Sequence, residues 1–309
     1  MAPHPLLPPG VHVFERGWLS SNNILLTDAD SATLVDSGYA THAQQTLALV
    51  DRALSGRQLD RLVNTHLHSD HCGGNAALQT RYPLLSTLIP PGLAEPVRHW
   101  RQEDLSYQPT GQTCPAFAIT GLLVPGSTHR WAATDWEVHA APGHDPHSVI
   151  LFNPEHRLLI SADALWQNGF GVVFPELEGI DGFDDVAGSL DLIERLNPHT
   201  IIPGHGPVFT DTAGALQRAR QRLESFARTP DKHARYGAKV LLKFKLQEFG
   251  SITRTDFLAW AQSVPYMQSL HRSFGGDMPL AAWMTQLLAD LAQSGALVEA
   301  GELLTDVSA

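Results

Sequence analysis

Between Thr65 and His71 the chain reads Thr-His-Leu-His-Ser-Asp-His, which places four residues able to bind a metal within six positions. Three more candidates follow at wide intervals, at His144, Asp163 and His205. Imidazole nitrogen and carboxylate oxygen suit zinc, and also iron or manganese, and no role other than ligation gains from crowding histidines in this way. Histidine makes up 16 of the 309 residues, so abundance alone would produce some clustering. Abundance does not explain what precedes each candidate. Leu59 to Thr65 leads to His66, Trp136 to Gly143 leads to His144, Arg157 to Ala162 leads to Asp163, and Thr200 to Gly204 leads to His205. Each reads as a strand, a turn and then a ligand. In layered α/β folds the loops at one end of a sheet converge on a point. The chain must therefore fold so that four segments distant in sequence end on one rim.

The spacing His-x-His-x-Asp-His followed by Gly73-Gly74, then Pro142-Gly143-His144, Asp163 after an apolar strand, and Pro203-Gly204-His205-Gly206 resembles the metallo-β-lactamase superfamily. The likeness runs from residue 34 to 206 and includes Leu34-Val35-Asp36-Ser37-Gly38 as an early strand and turn. The resemblance implies an α/β fold, an αββα sandwich in which two mixed sheets face each other and helices cover the outside. It also implies that His66, His68 and His144 hold one divalent metal ion, that Asp70, His71 and His205 hold a second, and that Asp163 bridges both. Two such ions stand about 3.5–4 Å apart and bring the pKa of a shared water to about 7, which makes it a hydroxide nucleophile at neutral pH. Zinc is the expected metal, with iron or manganese as alternatives. Asp70, bound through one oxygen, is expected to act also as the catalytic proton handler, and Asp36 to orient a ligand through its ring N–H. A Gly-x-Ser-x-Gly elbow is absent, so a serine hydrolase reading has no anchor.

Composition limits the alternatives. Hydrophobic residues make up 43% of the chain, and no stretch approaches 18 apolar residues, so no membrane span is expected. Met1 to Gly10 is proline-rich without a basic start or apolar core, which does not read as a signal peptide, and a cytoplasmic location is expected. The two cysteines, Cys72 and Cys114, do not form a disulfide framework, and Cys72 reads as packing beside the ligand cluster. His147 reads as a hydrogen-bonding loop residue.

The segment from Ala164 to Pro175 starts at a ligand and mixes aromatics with glycines. Trp166, Phe170 and Phe174 are therefore expected to form an apolar substrate wall beside the metals. Hydroxyacylglutathione hydrolases carry a Cys-Gly-Arg or Cys-Gly-Lys element after the bridging Asp, but this stretch has no Cys, Arg or Lys. Acyl-homoserine lactonases carry a Tyr there, and no Tyr lies between residues 108 and 235. The likeness thus stops short of either substrate grip.

Helices are expected over Thr41 to Leu54, from Asn75 to Thr80, over Asp184 to Leu196 and over Ala213 to Arg228, with residues 84 to 116 read as loop and short helices. Thr229-Pro230-Asp231 reads as a break between a catalytic domain, residues 1–230, and a smaller, mostly helical domain, residues 231–309. In the latter, helices over His233 to Phe249, Thr253 to Ser263 and Pro279 to Ser294 precede a hairpin of Ala296 to Glu299 with Glu302 to Thr305, the order of a winged-helix module.

Three classes of function stay open on these grounds. The first is a metallo-hydrolase acting on a small-molecule ester, thioester or lactone. The second is a metal-dependent ribonuclease or phosphodiesterase, motivated by seven Lys/Arg against two acids between Lys232 and Arg272. The whole chain is net −11, which opposes a polyanion. The third, a noncatalytic metal-binding protein, would need a broken ligand set, and all seven positions are intact. Oligomeric state is not legible.

Overall fold

Strands at the centre of this chain are apolar on both faces, and a strand of that kind must be covered twice. The computed structural model describes residues 6–307. Residues 1–5, on which half of the N-terminal reading falls, and 308–309 lie outside the described residues. A six-stranded sheet runs in order through β1 (Val11–Phe14), β2 (Asn23–Thr27), β3 (Ala32–Val35), β4 (Arg61–Val63), β5 (Ser86–Ile89) and β6 (Gly121–Leu122). A five-stranded sheet contains β7 (Thr128–Trp131), β8 (Thr134–Ala140), β9 (Val149–Asn153), β10 (Leu158–Ala162) and β11 (Thr200–Pro203), in reverse order from β11 to β7.

The two sheets face each other, and the period of two in each strand divides its side chains between two cores. Ile24, Leu26, Val35 and Val63 meet Val149, Leu151, Ile160 and Ile202 between the sheets. Their neighbours Leu25, Leu34 and Leu62 face outward to Val50, Leu54 and Leu78 of helices Ala43–Leu54 and Asn75–Arg81. On the other side Ile150, Leu159 and Ile201 pack under Leu190 and Ile193 of helix Phe183–Leu196 and Leu216 of helix Thr212–Arg228. This is the αββα sandwich, and its interior burial is what fixes strand register. Both sheets are mixed: β3 to β6 are parallel, as are β10 and β11, and the other pairings are antiparallel.

Ser86–Ile89 is a correction to the expected loop, since four residues with Ser and Thr leading carry too little pattern to announce a strand. A second correction concerns the C-terminal region, where helices span Pro230–Phe249, Arg254–Ser263, Pro265–Phe274 and Leu280–Gln293. The third was not expected; Pro265 takes its first turn, where its missing N–H costs nothing. Pro230 likewise opens a helix one residue beyond the corner at Thr229. A three-stranded sheet of β12 (Ser251–Thr253), β14 (Leu303–Asp306) and β13 (Leu297–Ala300), in that order, completes the region. Its apolar core includes Leu242, Leu246, Phe257, Met284 and Leu287 and takes in Val172 and Leu177 from the sandwich.

The basic window from Lys232 to Arg272 is largely neutralised within the chain. Arg235 and Lys239 approach Asp290 at 2.8 and 3.8 Å, Lys243 pairs with Asp306, Lys245 with Glu248 at 2.8 Å, and Arg254 with Glu299 at 2.8 Å. Three of those four acids lie outside the window in sequence, so the window by itself is unbalanced while the folded region is not.

His233 shows how the two parts are joined. It is 1% exposed, packs between Phe183 and Phe226, and its Nε2 accepts the Val173 backbone N–H at 3.2 Å. Burial, then the nearby Arg222, holds its pKa down at about 4. The unfolded ring titrates near ~6.5, so the unfolded chain takes up the proton first as pH falls. The associated stability is full above about 6.5 and is lost on descent to about 4, up to about 3 kcal/mol. His233→Gln keeps an acceptor and cannot titrate; denaturant unfolding at pH 7, 5.5 and 4 is expected to show a shallower loss in the variant than in the wild type. Equal slopes would mean His233 is not charged on unfolding.

Candidate metal centre

All the ligand candidates stand at the same end of the two sheets. His66 follows β4, His144 follows β8, Asp163 follows β10 and His205 follows β11, while Asp70 and His71 sit on the short helix Ser69–Cys72 just after the His66–His68 loop. His66, His68 and His144 form one group and Asp70, His71, Asp163 and His205 a second, with the donor atoms of each group within 4.8 Å of one another. In the first group His68 Nδ1 lies 3.1 Å from His66 Nε2 and 2.7 Å from His144 Nε2. In the second, Asp70 Oδ2 lies 3.0 Å from His205 Nε2 and 3.7 Å from His71 Nε2. Asp163 spans the two, with Oδ1 3.5 Å from His71 Nε2 and Oδ2 3.3 Å from His144 Nε2.

The tautomers follow from the outer contacts of the rings. His71 Nδ1 faces Asp36 Oδ2 at 2.8 Å, and His144 Nδ1 faces the Val172 carbonyl at 2.5 Å, so both turn Nε2 inward. Asp36 is 2% exposed at φ +57°, and its carboxylate also accepts the Thr65 backbone N–H at 2.9 Å and hydroxyl at 2.8 Å. His71 Nε2 is buried without a hydrogen-bond partner among the described residues. A buried nitrogen aimed at two carboxylates and two other rings, yet left unpaired, is what a metal ligand looks like. Charge fits as well. Burial, reinforced by the neighbouring imidazoles, keeps His66 well below its ordinary value, and burial with His144 takes His68 down to about 4, so both offer lone pairs. Burial opposes charge on His71 too, but Asp163, Asp36 and Asp70 outweigh it and raise it well above the ordinary value. That half of the centre is built around a positive charge. The residues therefore fit two cations.

Close packing explains two glycines. A Cβ at Gly204 would meet Asp163 Oδ1 at 2.1 Å, and one at Gly171 would meet the His144 ring at 2.4 Å. Cys72 turns away from the centre: its Sγ reaches the Tyr107 hydroxyl at 3.2 Å and Cys114 Sγ at 3.8 Å.

A cavity of about 750 Å³ opens from the centre, and Trp166 and Phe174 line it. Phe170 is a correction. It is 1% exposed, packs edge-on to Phe226 and lies beneath the Arg222 guanidinium, on the far side of its loop from the cavity. In an irregular loop no period tells which aromatic points in. Trp18, 53% exposed and stacked on His205 at 5.2 Å, joins the wall in its place, and no local pattern marked it. Helix Pro230–Phe249 roofs the cavity with Tyr236, Val240 and Phe244, also without a sequence signal. Phe170→Ala is expected to cost about 3 kcal/mol or more of unfolding free energy, read by denaturant titration; an unchanged midpoint would put Phe170 back at the surface.

Known proteins share the fold, and a family model spans the segments that carry the ligand candidates. The family model of the metallo-beta-lactamase superfamily matches residues 16–205, and the chain belongs to that superfamily. Hydroxyacylglutathione hydrolase from Synechococcus sp. (strain JA-3-3Ab) is 30% identical over 246 residues, which is 77% of this chain and 84% of that protein. The metallo-beta-lactamase family protein TTHA1429 from Thermus thermophilus superposes with a TM-score of 0.58 at 19% identity, over 97% of this chain and 99% of the other. TTHA1623, solved in a di-iron-bound form, gives 0.54 at 25% identity over 68% of this chain and 98% of its own. The protein is a hydrolase of this superfamily.

Removing the charge of Asp36 while keeping its shape tests the centre. Asp36→Asn is expected to weaken metal retention about 10–100-fold in competition with a chelator, against two ions per chain in the wild type by elemental analysis. One ion or none in wild-type protein never exposed to chelator would refute a dinuclear centre.

Proposed function

We propose that this protein hydrolyses an ester, thioester or lactone of a small molecule at a centre of two zinc ions, with His66, His68 and His144 on one, Asp70, His71 and His205 on the other, and Asp163 between them. Iron, present in the solved neighbour TTHA1623, or manganese would suit the same donors. The observation that carries the reading is the cavity of about 750 Å³ that opens onto His68, Asp70, His144, Asp163 and His205 of this set, a size that takes a small molecule. Held by these residues, the ions would supply Lewis acidity toward a carbonyl oxygen and toward a water.

The chain's own groups do the rest. Asp70 turns Oδ2 to His205 and His71, which leaves Oδ1 to hold and pass on the nucleophile's proton. The His71 and His205 rings more than reverse the effect of burial on Asp70, so its pKa lies below the ordinary value and its carboxylate stays ionised, able to accept a hydrogen bond from the nucleophile. Asp163 is kept in line by the Trp166 indole, whose N–H reaches Oδ1 at 3.2 Å. Phe174, 5.1 Å from the His68 ring and 5.7 Å from that of His144, keeps water off that flank.

A nuclease reading finds no support in the C-terminal region, whose cations are mostly paired with acids of the same chain. The Synechococcus relative is named for a glutathione thioester, but the residues after Asp163 here carry no cation for such a substrate. No described helix is long and apolar enough to cross a membrane. A cytoplasmic site of action belongs to the same proposal.

Asp70→Asn keeps a neutral oxygen ligand. Turnover of an activated ester or thioester is expected to fall by about 10²-fold or more at full metal content. Near-normal turnover would mean the proton passes elsewhere.

A further inference from the structure

The cavity has a second wall, and its chemistry selects a substrate. From the metal centre the aromatic surface runs outward through Phe174 to Tyr266, whose rings stand 6.0 Å apart. Opposite lies helix Pro230–Phe249, with Val240, Leu241 and Phe244 facing the space and Leu291 behind them. The cations on this wall are Lys239 and Lys243, and both are committed, to Asp290 at 3.8 Å and to Asp306. The acids that line the cavity beyond the centre include Glu103, Asp145, Glu178 and Asp185. Bringing a carboxylate or phosphate here would strip its water and set it against like charge, with no free Lys or Arg among the described lining residues to compensate.

We propose that the substrate is an uncharged acyl ester or thioester whose apolar chain, of medium length, lies between Phe174 and helix Pro230–Phe249, so that the C-terminal region sets specificity for chain length and against anionic leaving groups. This rests on the ester or thioester reading above. It assigns Val240 as a specificity residue: it is half-buried, lines the cavity and makes no polar contact of its own. Each methylene that leaves water for such a wall is worth up to about fourfold in kcat/KM.

The test uses the metal-loaded protein and two series of substrates. The first is acyl thioesters of neutral N-acetylcysteamine from acetyl to decanoyl, and the second is the same acyl groups on glutathione, which brings two carboxylates. The wild type is expected to gain roughly two- to fourfold in kcat/KM per methylene up to about octanoyl, and to prefer the neutral thiol at every length by about tenfold. Val240→Trp, which fills the wall, is expected to lower octanoyl kcat/KM at least about tenfold more than acetyl kcat/KM. Val240→Lys, which introduces a free cation, should narrow or reverse the preference for the neutral thiol. Equal kcat/KM from acetyl to decanoyl, or preference for the glutathione series in the wild type, overturns the inference and leaves the hydrolase reading standing. No turnover of any member of either series, by protein of full metal content, removes the ester and thioester reading itself.

Discussion

The carboxylate of Asp36 is the group on which the centre depends. It sits at the end of β3 in a left-handed backbone conformation and is almost fully buried. Through Oδ1 it holds the Thr65 backbone, and through Oδ2 it holds the Thr65 hydroxyl and the His71 ring. One side chain therefore joins two parallel strands, fixes the loop that carries His66 and His68, and sets the tautomer of a ligand. A buried charge with three good donors is stable where an unpaired one is not. Such an arrangement repays its desolvation only while all three partners stay in place, so rigidity at the metal centre and integrity of the sheet edge are the same requirement.

The αββα sandwich delivers the other ligands because β4, β8, β10 and β11 all end at one rim. What the sandwich does not supply is a closed substrate space. That comes from helix Pro230–Phe249, which is tied down by polar contacts as well as by its apolar core. Tyr39 donates its hydroxyl to Glu248 at 2.8 Å, Lys245 donates to Glu248 at 2.8 Å and to the Gly111 carbonyl at 2.9 Å, and Tyr39 accepts the Thr113 N–H at 3.0 Å. Since Gln112 in turn accepts from Ser69 at the start of the ligand helix, the roof and the centre are connected through short contacts. Lys245 is thereby a strut, not a surface cation offered to phosphates.

Much of the site was determined by the sequence itself, because the ligands of a two-metal centre are chemically unusual residues at fixed spacing. His66, His68, Asp70 and His71 are neighbours, and each distant ligand follows a strand that its own alternation or apolar run reveals. The strand-then-ligand pattern was enough to place His144, Asp163 and His205 on a common rim. Asp36 was readable for a similar reason, as an acid directly after an apolar strand.

Tertiary structure decided everything that depends on which way an irregular segment turns. Phe170 and Phe174 lie four residues apart, Phe170 in a loop and Phe174 opening the short helix Phe174–Leu177 that follows it, yet Phe170 is sealed against Phe226 and Phe174 faces the metal ligands, a difference no periodicity encodes. Trp18 stacks on His205 from 187 positions away, and contacts of that range follow from closure of the two sheets rather than from local pattern. Charge was misleading for the same reason: the lysines of helix Pro230–Phe249 cluster in sequence, but Asp290 and Asp306, which neutralise them, arrive only when the last helix and hairpin fold back. Local chemistry fixes the identity of ligands, whereas cavity walls and ion pairs are made by residues that only the folded chain brings together.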